Sequence, residues 1–139
     1  MKKFWHIVSK KDLIFGLIIL ALTILISFKP SNKVRFTYGE DSVDIKTTRF
    51  SMNIPYDMVE DLELVSKPDM GEKVDGFTDD IIAHGLWKNA SWGEYTACLE
   101  VCTENCILVH LDDGRLFVLS RRNNEETQKV FEEFKTYLN

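Results

Sequence analysis

The chain has 139 residues and a formal net charge of −5, enough for one ordinary domain and a short appended segment. Residues 1–30 carry five Lys and one Asp, whereas residues 31–139 carry twelve Lys and Arg against twenty-one Asp and Glu, a balance of −9. So acidic a domain repels phosphate backbones and anionic headgroups, which excludes nucleic acid as an expected partner.

The first element is the run LIFGLIILALTILISF at residues 13–28, sixteen positions without a charge. It is apolar all round, and Trp5, Lys10, Lys11 and Lys29 flank it as headgroup-level residues. These features predict a transmembrane helix within an N-terminal leader and anchor, residues 1–30. A signal peptide is the competing reading, but no A-x-A-like cleavage site follows the run. The expected location is the cell membrane, single-pass. The lysines before the span place the N-terminus in the cytoplasm and the domain of residues 31–139 outside it.

Beyond KPSNK at residues 29–33 the apolar residues begin to alternate. Val34, Phe36 and Tyr38, then Val43 and Ile45, then Phe50, Met52 and Ile54 each fall on one side of a short run. This period of two, broken by Gly-Glu-Asp and Thr-Thr-Arg, predicts antiparallel strands on a meander. Leu62 and Leu64 continue it. The polar stretch KPDMGEKVDGFTDD reads as a loop, and IIAHGLWKN with WGEYTACLEVC as a strand pair. Asp113-Gly114 predicts a two-residue type I′ hairpin, with Leu111 opposite Leu116 and Val109 opposite Val118. In the last segment Val130, Phe131, Phe134 and Leu138 share one helical face, and Asn123 with Glu126 marks a capping start. The expected class is mainly β: about seven strands as a sandwich or barrel, closed by a C-terminal α-helix.

The strand order, with IPYDMVEDLELV, HGLWKN and LDDGRLFVLS before the closing helix, resembles the bacterial pleckstrin-homology-like domains. The resemblance covers about three quarters of the chain. It implies two sheets plugged by a C-terminal helix, a non-enzymatic interaction or scaffold role behind a membrane anchor, and no catalytic residues.

The segment CLEVCTENCILVH spaces Cys98, Cys102, Cys106 and His110 four apart. If the two halves form a hairpin through 103–105, Cys102 faces Cys106 and Cys98 faces His110. The two pairs then lie about 13 Å apart at ~3.3 Å per residue, too far for one ion bound at ~2.0–2.3 Å. Either the three thiols pack as small apolar side chains, or Cys102 and Cys106 form a disulfide. No phosphate loop, metalloprotease motif or nucleophile elbow is present. No cofactor, metal or catalytic residue is therefore expected. The acidic pairs Asp79-Asp80 and Asp112-Asp113 lack calcium-loop spacing and read as solvated turns. Under the expected hairpin register, Leu108, Phe117 and Leu119 face away from the core as an apolar interaction face. The expected function is a membrane-anchored docking module for a protein partner or a second copy. The alternative is a membrane-associated domain that binds a lipid or small molecule.

Overall fold

The computed structural model describes residues 9–27, 33–101 and 103–139 and divides into two compact units, Met1–Ser31 and Asn32–Asn139. In the first, helix α1 (Lys10–Ser27) starts from a reciprocal cap. The Asp12 amide donates to Ser9 Oγ and the Ser9 amide to Asp12 Oδ2, both at 3.2 Å. The length of this helix corrects the expected anchor. Of the helix's 18 residues the first three, Lys10, Lys11 and Asp12, are charged. The uncharged remainder rises only about 22 Å, against a hydrocarbon core of about 30 Å. Among the described residues no helix is long and apolar enough to cross a membrane. The single-pass anchor, the cell-membrane location and the extracytoplasmic domain built on it are overturned together. Phe28 and the connector at 29–32 lie outside the described residues.

The second unit is mainly β, with two sheets and a C-terminal helix. Strands β1 (Arg35–Tyr38), β2 (Ser42–Lys46) and β3 (Ser51–Pro55) form the expected antiparallel meander. Its turns fall where the polar interruptions lie. The Gly39 amide donates to the Ser42 carbonyl at 2.8 Å and the Thr47 amide to that of Phe50 at 2.8 Å. A single 3₁₀ turn, Tyr56–Met58, leads into the second sheet. That sheet comprises β4 (Val59–Ser66), β5 (Glu72–Thr78), β6 (Ile82–Asn89), β7 (Gly93–Glu100), β8 (Asn105–Leu111) and β9 (Leu116–Leu119). Its strand order is β4-β8-β9-β7-β6-β5.

Two features depart from the expected meander. Strand β5 occupies the stretch read as a loop. It also escapes the alternation rule: as an edge strand it leaves six of its seven residues exposed, so its sequence shows no apolar face. Strand β9, in turn, lies between β7 and β8 and runs parallel to β7. The hairpin expected through residues 103–105 is therefore absent, and nine strands stand among the described residues where about seven were expected.

The register at Asp113-Gly114 differs by one residue from a type I′ turn. Only Gly114 takes positive φ, at 88°, and the Leu111 amide donates to the Arg115 carbonyl at 2.9 Å. The loop is thus three residues long, with glycine at the left-handed position. His110 pairs with Leu116 and Val109 with Phe117. A one-residue slip reverses which face every later side chain meets.

The sheet is consequently apolar on both sides. Leu62, Leu64, Cys98, Ile107, Val109, Phe117 and Leu119 meet Val43, Ile45 and Ile54 of the small sheet and Phe134 of helix α2 (Asn124–Leu138). Ala83, Trp87, Tyr95, Ala97, Leu99, Leu108, Leu116 and Val118 form a second cluster on the opposite face. The connection at 67–71 explains how that cluster is enclosed, because it joins the two edge strands. Six Cα steps reach at most about 22 Å, whereas five interstrand gaps of a flat sheet span about 24 Å. The sheet must curl around its second face. The Tyr95 hydroxyl donates to the Met70 carbonyl at 2.7 Å, and Lys67 Nζ to that of Val101 at 3.0 Å, drawing the connection across the mouth.

Helix α2 begins as expected, with Asn123 Oδ1 accepting from the Glu126 amide at 2.8 Å. The Glu126 side chain does not return to the cap. It meets Arg121, whose Nη1 donates to the Val34 carbonyl at 2.7 Å.

Candidate functional site: sheet edges and a carboxylate–histidine cluster

The expected apolar interaction face does not exist as a unit. Leu108, Phe117 and Leu119 are all buried, at 4%, 5% and 0% exposure. The register slip sends Phe117 and Leu119 to the first cluster and Leu108 to the second. Both faces are covered by the chain itself.

The cysteine segment is rearranged by the insertion of β9. Cys98 pairs with His84 across β6 and with Leu119 across β9, while His110 pairs with Asp61 and Leu116. Cys98 and His110 are therefore not neighbours. Cys106 is buried opposite Val65. The bridge expected between Cys102 and Cys106 falls on Cys102, which lies outside the described residues. Burial pushes the Cys98 thiol up to about 12 and that of Cys106 up to about 11. Both are poor nucleophiles and poor metal ligands in the folded chain, because the reactive form is the thiolate.

His84 packs between two rings, with centroids 4.9 Å from Phe50 and 5.5 Å from Phe77. Desolvation, aided by the nearby Arg49 charge, lowers its pKa and keeps the ring neutral. The acidic pairs serve turns. Asp79 Oδ1 accepts from the Ile81 and Ile82 amides at 2.7 Å, and Asp113 accepts from the Arg115 amide and Nε. Those donors hold both carboxyls below the usual range. An open depression of about 580 Å³ is lined by Glu40, Asp41, Asp57, Tyr56 and Tyr137. Its carboxylates disfavour anionic headgroups.

The exposed features with chemical content lie on the edge strands. Strand β5 presents Val74 at 51% exposure, and its outer edge has no strand partner among the described residues. At the opposite edge, Asp61 and Glu63 of β4 meet His110 of β8, with His110 Nε2 3.1 Å from Glu63 Oε2. One ligand-type atom from each residue lies within 4.8 Å of the other two. The grouping depends on alternation along β4 and on its register against β8. Asp61 and Glu63 stand two apart on β4 and so share a face, and Asp61 pairs with His110 across the strands, just past an irregularity that begins at Val59. Sequence reasoning missed this site because His110 lies 47 residues from Glu63 and no local signal encodes the pairing of β4 with β8.

The chain matches no family model, no curated protein and no solved structure, so its resemblance to pleckstrin-homology-like domains has no match behind it.

Proposed function

We propose that the β unit is a non-enzymatic interaction module that receives a strand from a protein partner or a second copy at the β5 edge. The observation that carries this reading is a seven-residue edge strand with six residues exposed and no strand beside it among the described residues. Unpaired N–H and C=O groups along such an edge offer main-chain hydrogen bonds to an incoming strand, and exposed side chains set its preference. Val74 supplies an apolar contact, while Glu72, Lys73 and Asp75 give the rim mixed charge. Glycines keep the inner side tight. Gly76 faces Gly85, and a Cβ on Gly85 would meet the Asp75 carbonyl and the Gly76 Cα.

Native complexes purified with the wild-type chain and with Val74→Lys test this, since an edge lysine blocks strand addition. The wild type should co-purify a stoichiometric partner or sediment as a dimer, and Val74→Lys should lose that association with an unchanged circular dichroism spectrum. Equal association of the two chains would overturn the reading.

A further inference from the structure

We infer that Asp61, Glu63 and His110 form a binding site for a borderline divalent transition-metal ion, Zn²⁺ being the best match. The three residues occupy neighbouring strands. Asp61 and His110 are direct cross-strand partners, and Glu63 stands two positions along β4 on the same face. Three atoms within 4.8 Å of one another enclose a point no more than about 2.8 Å from each. Zinc bonds to imidazole nitrogen and carboxylate oxygen run at roughly 2.0–2.2 Å. Rotation of side chains that are exposed or half-exposed closes the difference, with no movement of the backbone.

The donor set selects the ion. One imidazole with two carboxylates suits zinc and its neighbours better than calcium or magnesium, which take all-oxygen shells. Two carboxylates neutralise a divalent charge, and among the described residues no lysine or arginine forms a salt bridge with either. The Leu62 amide donates to Asp61 Oδ1 at 2.9 Å, which orients that carboxylate and leaves its second oxygen for the ion. Glu63 pairs with Leu108 across the strands, and Leu116 pairs with His110. The site is thus backed by apolar side chains on one side and open on the other. Three protein ligands leave the remaining coordination position to water.

The register of β4 against β8 gives the arrangement its specificity. A one-residue slip of β4 against β8 would put His110 on the opposite face from Asp61 and Glu63, and the site would hold only two ligands. The buried thiols offer no rival site in the folded chain, since burial holds both Cys98 and Cys106 as thiols.

The test is calorimetric titration of the full chain with ZnCl₂ after treatment with a chelator. One ion per chain is expected. His110→Ala and Asp61→Asn should each weaken binding by more than about 100-fold, because even an outer-shell partner is worth 10–100-fold. Asp57→Asn, in the acidic depression, should leave binding unchanged. Cobalt supplies a measure that needs no variant: imidazole and carboxylate ligation gives weak visible bands without the intense near-ultraviolet band of thiolate ligation. Absence of stoichiometric binding, unchanged affinity in His110→Ala, or a thiolate band on cobalt loading would each overturn the assignment.

Discussion

Replacing Phe134 by alanine tests the central packing claim. Phe134 is 0% exposed in the first core cluster, with ring centroids 6.3 Å from Tyr38 and 6.2 Å from Tyr56. It is the largest fully buried side chain that α2 contributes. Truncation removes its transfer energy and leaves a cavity between the helix and both sheets. Buried Phe→Ala changes cost about 3–5 kcal/mol, a large share of the ~5–15 kcal/mol that stabilises a domain. At about 4 °C per kcal/mol for a unit of this size, the melting temperature should fall by about 12–20 °C. Thermal melts followed by circular dichroism, with urea midpoints as a second measure, check the value. Lys129→Ala is the control: its exposed ion pair with Glu125 at 3.1 Å contributes at most about 0.5 kcal/mol. A shift below about 4 °C for Phe134→Ala would refute the claim that α2 closes the core.

Three further outcomes follow from the geometry. Gly85→Ala places a Cβ against the Asp75 carbonyl at a φ of 103°, so it should cost at least about 1–3 kcal/mol. It should also raise amide exchange along β5 while leaving β1–β3 protected. Cys98 and Cys106, with thiols near 12 and 11, should resist alkylation at pH 8, where at most about one molecule in a thousand carries the thiolate. Both should label fully in denaturant, and rapid native labelling would contradict their burial. Glu100 is buried near Arg121, with Nε 3.5 Å from Oε2. Desolvation raises its carboxyl pKa against the opposing pull of Arg121. A raised folded-state pKa favours the native state at low pH, an advantage lost as pH rises from the ordinary carboxylate value through the raised one. Glu100→Gln should therefore gain stability relative to wild type as pH rises above the ordinary carboxylate value. A pH-independent difference in melting temperature would refute this.

The sequence by itself determined which stretches extend and which coil, because those choices rest on local periodicity. Val43 and Ile45, Met52 and Ile54, and Leu62 and Leu64 alternate, and each pair lies on a strand with inward-facing side chains. Val130, Phe131 and Phe134 after the Asn123 cap give α2. The tertiary structure decided the rest. Strand β5 carries no alternation because an edge strand exposed on both faces needs none. Strand β9 enters beside β7 through long-range pairing that no local signal encodes. One residue more in the Asp113-Gly114 loop than the dipeptide implies reversed the faces of Phe117 and Leu119 relative to Leu108, which dissolved the expected docking face. The pairing of β4 with β8 brought Asp61 and Glu63 beside His110 and created a grouping without any sequence spacing. At the N-terminus, sixteen uncharged letters promise a span, but the described helix begins at Lys10, spends its first turn on charged residues and leaves too short an apolar length. Periodicity is a property of neighbours along the chain; register, strand insertion and the faces that bulges select depend on contacts between segments far apart in it.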